Sequence, residues 1–211
     1  MLLTLLLLAG CPDPARDKAA AVITDVPPSA PTGAPAAAAS AQPDAPWSSA
    51  TGSIGFHAAK VTRSHDAVFG QQSFSVQFAS GVLAGVRAEV QIASLKTDTP
   101  KLDAHLQSAD FFDAANLPRA TFESTAIRPG APAGTALVGA SHTVEGDLTI
   151  HGITRHIQIP AVIETSAAGV SARTEFSIQR QDFGIVYPGK ADDLIADGVL
   201  IRAEFQATPP G

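Results

Sequence analysis

The chain has 211 residues, 45% of them hydrophobic and 16% charged, with a formal net charge of −6 at pH 7. No basic block interrupts that acidic balance, which excludes nucleic acid as a partner and disfavours flat adsorption on anionic lipid. One cysteine in the whole chain excludes an internal disulfide framework.

Met1 to Gly10 is an almost unbroken run of leucine. It is too short to span a bilayer as a helix. Small Ala9 and Gly10 then precede the single cysteine. The spelling Leu8-Ala9-Gly10-Cys11 resembles the lipobox of bacterial lipoproteins, although the basic opening of an export signal is missing. The resemblance implies cleavage before Cys11, diacylglycerol on its sulfur and a further acyl chain on its nitrogen. Two or more chains anchor stably where one is marginal. Pro12 stands where Asp would signal inner-membrane retention. The expected location is therefore the cell envelope, facing the periplasm, with the outer membrane favoured.

Residues 11–46 read as the lipidated cysteine followed by a disordered linker. Positions 12–46 hold eight of the sixteen prolines, twelve alanines and no aromatic residue. Such a stretch cannot bury enough apolar surface to offset its ordering entropy. A Pro-rich tether of this length reaches roughly 30–100 Å. Residues 47–211 are long enough for one domain with a real core.

Period-two alternation runs through that domain. The first strand, 52–61, turns Phe56 inward. In Gln72 to Ala79, Phe74, Val76 and Phe78 share a face. In Gly85 to Leu95, Val86, Ala88, Val90 and Ile92 do so. Thr99 to Phe112 breaks the pattern with Leu102, Leu106 and Ala109 at helical spacing, and Thr99-Pro100 suits an N-cap and first position. It ends in Phe111 and Phe112. A strand at 119–128 carries Phe122 inward. Val144, Gly146, Leu148 and Ile150 alternate with polar residues, and another strand follows at 153–164. Ala172, Thr174, Phe176 and Ile178 face together, as do Val199, Ile201, Ala203 and Phe205. Ser80-Gly81, Pro129-Gly130, His151-Gly152, Ala168-Gly169 and Pro188-Gly189 mark turns, with His151-Gly152 a tight hairpin. About eight one-sided strands close into a barrel or pair as a sandwich, and periodicity does not choose between them.

Three stretches do choose. Ser94 to Asp113 ends in Asp-Phe-Phe-Asp and runs on to Ala120-Thr-Phe-Glu-Ser124. Val144 to Thr154 contains Gly-Asp-Leu-Thr-Ile-His-Gly-Ile-Thr. Phe176 to Ile185 contains Arg180-Gln-Asp-Phe-Gly184. Together they resemble the signature stretches of the YceI-like family, the periplasmic polyisoprenoid-binding proteins, over residues 52–206. The resemblance implies an all-β fold, an eight-stranded antiparallel lipocalin-like barrel with one short helix. It also implies an isoprenoid lipid or quinone tail held inside. Departures are Lys60-Val61 where many members have Lys-His, with His65 after a short insertion, and a long turn at Val186 to Ile195 that would form a flap over one barrel end.

Fifteen side chains are the candidate ligand-binding interior: Phe56, Phe74, Val76, Phe78, Val90, Ile92, Phe111, Phe112, Phe122, Leu148, Ile150, Phe176, Ile178, Val199 and Ile201. Flat apolar rings suit a prenyl chain, but the same residues equally suit a solid core. The expected function is a membrane-anchored periplasmic lipoprotein that stores, transports or protects an isoprenoid lipid or quinone tail. The alternative is a non-catalytic structural or interaction lipoprotein with a side-chain-filled barrel. No nucleophile elbow, zinc-binding helix or phosphate loop occurs, so no enzyme activity, metal or cofactor is expected. Ser141-His142 adjacency carries little weight, because strand neighbours point to opposite faces. His151 and His156 flank a hairpin, where turn hydrogen bonding is the expected role rather than a metal site. Arg180 falls on the inward face and calls for a carboxylate partner such as Asp182 or Asp110.

Overall fold

A computed structural model describes residues 20–24, 46–166 and 168–208. Cys11 and its leader lie outside the described residues. In chain order the elements are β1 (Val22–Ile23), β2 (Ser48–Lys60), β3 (Arg63–Phe69), β4 (Gln72–Ala79), β5 (Val82–Gln91), β6 (Leu95–Lys96), α1 (Pro100–Gln107), β7 (Arg119–Pro129), β8 (His142–Ile150), β9 (Ile153–Ser166), β10 (Gly169–Gln179), β11 (Gly189–Lys190) and β12 (Asp193–Ala207).

Neighbouring strands pair antiparallel, and β12 pairs back onto β2, so the sheet closes on itself. Closure removes the free edges that a one-sided sheet would expose. The barrel has eight staves. β3 and β4 form one bent stave along β2, interrupted at Gly70 and Gln71, and β5 and β6 form the next, interrupted by a 3-10 turn at Ile92–Ser94. The stretch from Arg63 to Phe69, given no strand by the alternation and containing His65 after the short insertion, is thus the first half of a stave. Its polar start, Arg63-Ser-His-Asp66, hides the pattern, which shows only in buried Ala67 and Phe69.

The punctuation works by backbone conformation. His151 (φ 50°) and Gly152 (φ 73°) both take positive φ, the requirement of the tight hairpin turn joining β8 to β9. The helix has Thr99 at its N-cap and Pro100 in its first turn, but it stops at Gln107 rather than Phe112. From Ser108 the chain turns back on itself, with the Ser108 N–H bonded to His105 O and the Asp113 N–H to Ser108 O. Asp103 anchors the helix to the strand before it. Its carboxylate accepts the Thr97 N–H at 2.6 Å and the Thr97 hydroxyl at 2.7 Å.

Within the stretch read as linker, Ala20 to Thr24 joins the barrel wall. Val22 and Ile23 pair with Gln158 and Ile157 of β9, and Ala20 bridges Ser177 of β10.

Candidate functional site

The inward faces do not fill the barrel completely. An apolar cavity of about 180 Å³ runs inside it. Its lining extends from Phe74, Leu83 and Phe205 to Phe183 and Ile185 near the flap. An apolar cavity of about this size stays dry, because water entering it would find no polar partners.

Twelve of the fifteen candidate residues line the cavity: Phe56, Phe74, Val90, Ile92, Phe112, Phe122, Leu148, Ile150, Phe176, Ile178, Val199 and Ile201. Val76, Phe78 and Phe111 do not. Val76 and Phe78 are buried in a packed cluster with Phe74, Leu83, Val86, Val170 and Phe205. Phe111 packs under the flap, 5.2 Å from the Tyr187 ring centre. Alternation decides which face a residue takes, but not whether the space in front of it is filled.

Lining residues absent from the candidate set include Ile54, Phe69, Val144, Ile159, Ala161 and Ile163. Val144 was already legible by alternation. Phe69 was hidden by the polar start of its stave. Ile159 to Ile163 carry Pro160 and a near-continuous apolar run, which blurs period two. The small inward residues Ala88, Ala120, Ala161, Ala172 and Ala203 also line the space. Where facing positions carry alanine, side chains do not meet across the barrel.

The Phe122 ring owes its placement to Gly146 on the neighbouring strand. A Cβ on Gly146 would sit 2.6 Å from Phe122 Cζ and 2.5 Å from the Glu123 carbonyl oxygen. At the flap end, Phe56 stacks between Phe69 and Phe112, with ring centres 6.1 and 6.0 Å away. Such tilted pairs are favourable beyond their area alone.

Arg180 corrects the sequence reading. It is buried as expected, but it makes no carboxylate ion pair among the described residues. Its guanidinium donates to the backbone carbonyls of Ala196 at 3.1 Å, Ile195 at 3.3 Å and Ile185 at 2.5 Å. Asp110 is engaged by His105 instead, at 3.2 Å. Burial pulls the guanidinium pKa down from its ordinary value, and the Asp197 charge opposes that. Arg180 therefore clasps both ends of the flap, 186–195, whose tip is the small β11–β12 hairpin.

The remaining polar candidates lie away from the cavity. His65 Nδ1 pairs with Asp98 at 2.8 Å and His156 Nδ1 with Asp147 at 2.7 Å. His151 Nδ1 lies 3.3 Å from the Phe183 carbonyl, the turn role expected of it. Asp113 receives the Asn116 amide at 3.0 Å. Ser141 Oγ does reach His142 Nδ1, at 2.8 Å, contrary to the strand-neighbour argument, because Ser141 precedes the strand. That hydroxyl also accepts the Ile163 N–H at 3.1 Å. Among the described residues, no three His, Cys, Asp or Glu side chains are grouped to hold a metal ion.

An eight-stranded antiparallel barrel closed around an apolar space defines the lipocalin-like class of barrels. The YceI-like domain family matches residues 47–207, and the chain belongs to that family. A protein of Pseudomonas syringae pv. syringae, named only as a UPF0312 protein, is 32% identical over 131 residues, which cover 58% of this chain and 64% of the relative. The match thus spans a little under two thirds of that relative. Among solved structures, Burkholderia cenocepacia BcnA has a TM-score of 0.62 at 24% identity, covering 74% of this chain and 96% of its own. A polyisoprenoid binding domain from Saccharophagus degradans, implicated in plant cell wall breakdown, has a TM-score of 0.60 at 16% identity. It covers 79% of this chain and 100% of its own. At these identities the two structures establish the shared fold.

Proposed function

We propose that the barrel binds an isoprenoid lipid or the prenyl tail of a quinone, with the chain lying in the apolar cavity. The observation that carries this reading is the cavity itself, walled by Phe56, Phe122, Phe176 and Ile201 and almost free of polar atoms. A prenyl chain needs no hydrogen-bonding group along its length. Each buried carbon contributes about 0.8 kcal/mol, so one isoprene unit gives very roughly 3–4 kcal/mol. A few units offset the cost of association and reach micromolar binding. The related polyisoprenoid binding domain supports the same ligand class.

A benzene molecule suits an apolar cavity of about 150 Å³, so 180 Å³ takes roughly one to two isoprene units with the walls at rest. A longer chain must widen the barrel. Titration of delipidated protein with menatetrenone, a prenyl naphthoquinone, tests the reading. One-to-one binding is expected. If native mass spectrometry of protein from its host shows no lipid and titration shows none bound, the filled-barrel reading takes its place.

The leucine run and Ala9-Gly10-Cys11 support a second part of the proposal: export, acylation of Cys11 and tethering of the barrel in the periplasm. Cys11→Ser then releases a folded barrel into the soluble fraction. Tight membrane association of a correctly cleaved Ser variant would assign the contact to the barrel instead.

A further inference from the structure

The seam between β9 and β10 is only half closed. The two strands pair from Gly169 opposite Ser166 to Arg173 opposite Val162. Continued in that register, the next hydrogen-bonded pair would set Pro160 against Glu175, and the one after it Gln158 against Ser177. Pro160 has no N–H to donate. Its carbonyl instead accepts the Thr174 hydroxyl at 2.7 Å. From there the strands part, and Ala20 to Thr24 lies between them. Val22 stands opposite Gln158, and Ala20 bridges Ser177, so both residues that the register would join meet the inserted segment. The Ala21 N–H donates to Ser177 O at 2.7 Å, and the Thr24 N–H to His156 O at 3.0 Å.

We propose that Ala20 to Thr24 is a removable strap over a side opening in the barrel, through which a prenyl chain passes between the cavity and a membrane. The proposal rests on the lipid-binding reading and adds its access route. Three observations carry it. The strap is held by two ladder residues on β9 and one bridge on β10, against ten ladder residues between β10 and β12, so it is a weakly held part of the wall. Its inward residues Ala21 and Ile23 are only partly buried, yet they pack on the cluster formed by Ile157, Phe176 and Ile178. The strap itself does not line the cavity, but the walls on either side of it do, through Ile159 on β9 and Phe176 and Ile178 on β10, so only the shared cluster separates strap from cavity.

The ends of the barrel are closed more firmly. The flap is clasped by Arg180 at one end, and the packed Phe74, Val76 and Phe78 cluster occupies the other. Removing the strap frees the space of Ala21 and Ile23 and supplies the widening that a chain of more than two units needs. It also exposes backbone groups of β9 and β10 that Pro160 prevents from pairing with each other. The strap therefore returns once the chain has passed.

The test is a full-length chain carrying Cys11→Ser, Val22→Cys and Gln158→Cys. Positions 22 and 158 are directly opposed, and a hydrogen-bonded antiparallel pair has Cα atoms about 5.5 Å apart, within disulfide range. Neither side chain faces the cavity. The protein is loaded with menatetrenone, and transfer to phosphatidylcholine vesicles is followed in oxidised and reduced samples. The expected result is transfer slowed about tenfold or more by oxidation, with equilibrium affinity unchanged and wild-type rates after reduction. Equal rates in the two states, with quinone bound in both, overturn the strap and leave lipid binding standing. A thiol pair that does not oxidise overturns the strap by denying its position. Failure of the wild-type chain to bind menatetrenone overturns both readings together.

Discussion

The two halves of the β9–β10 seam differ although they belong to the same two strands. From Ser166 to Val162 the strands are zipped directly. That half stands beside a cluster in which Val76, Phe78 and Leu83 fill the barrel and Val170 and Phe205 close over them. From Pro160 onward a third segment separates the strands, and Ile159, Phe176 and Ile178 face a void. The contrast teaches that a barrel wall needs two kinds of complementarity. Backbone donors must match across the seam, and side chains must meet across the interior. The zipped half has the first along its length and the second at its Val170 end only, since Ile163 and Ala172 also border the void, while beyond Pro160 the backbone match is missing too.

The largest expected effect lies in the filled half. Phe78→Ala opens a new void in a packed cluster and should cost about 3–5 kcal/mol. Phe122→Ala enlarges a cavity that already exists and loses mainly the transfer contribution, about 1–3 kcal/mol. Urea unfolding of the two variants measures the difference. Menatetrenone titration should show the reverse order, with affinity changed by the Phe122 substitution and spared by the Phe78 one. Equal stability losses would mean that the cavity closes around its own side chains in solution.

Next is the clasp on the flap. Arg180→Met keeps the apolar stem and removes the donors to the carbonyls of Ile185, Ile195 and Ala196. Buried carbonyls left without donors are costly, while losing a buried charge returns part of that, so a net loss of about 2–4 kcal/mol is expected. Hydrogen exchange should show the effect concentrated in Val186 to Ile195. A loss spread evenly over the barrel would show that Arg180 supports the wall rather than the flap.

Most of the fold was legible because its information is local. Phe74-Val76-Phe78 and Val199-Ile201-Phe205 alternate cleanly, and His151-Gly152 names its own turn. The family stretches then selected barrel over sandwich. The site was legible only as a face. The parity that turned Val76 inward also turned Phe56 inward, yet one is packed solid and the other borders a void. That difference depends on what stands opposite, such as the glycine beneath Phe122, and opposite residues are distant in sequence. The strap was hidden for a related reason. Ala20 to Thr24 has the composition of a linker, and its strand character comes from the gap that Pro160 leaves far along the chain.

Acid titration probes the flap and helix end of the barrel more gently. The pKa of Asp193 is lowered chiefly by Lys60, that of Asp98 by His65 and that of Asp103 by Thr97. A folded-state pKa below the unfolded value means stability fully present above the unfolded value, near 3.8. That stability is lost as pH falls through the lower, folded pKa. Asp103→Asn should therefore be less stable than wild type at neutral pH, and the gap should narrow in acid below pH 4. Urea midpoints at neutral and acid pH check this. A gap that stays constant would assign the loss to altered hydrogen-bond geometry rather than to charge.

The smallest effect on stability, and the sharpest probe of the seam, belongs to Pro160→Val. The strand geometry suits valine, and total stability should change by about 1 kcal/mol or less. The new N–H faces β10 and can extend the ladder one step, towards Glu175. Extension competes with the strap for the same edges, because Gln158 and Ser177 cannot pair with each other and with Val22 and Ala20 at once. Hydrogen exchange should then show less protection at Ala21 and Thr24 and more along Gln158 to Pro160's position. Transfer of menatetrenone should slow as the side opening closes, with no change in the ends of the barrel. If Ala21 and Thr24 keep their protection, the missing donor is not what parts the strands. The strap would then hold its place by the packing of Ile23 against Ile157 and Ile178, and an Ile23→Ala variant would release it where Pro160→Val does not.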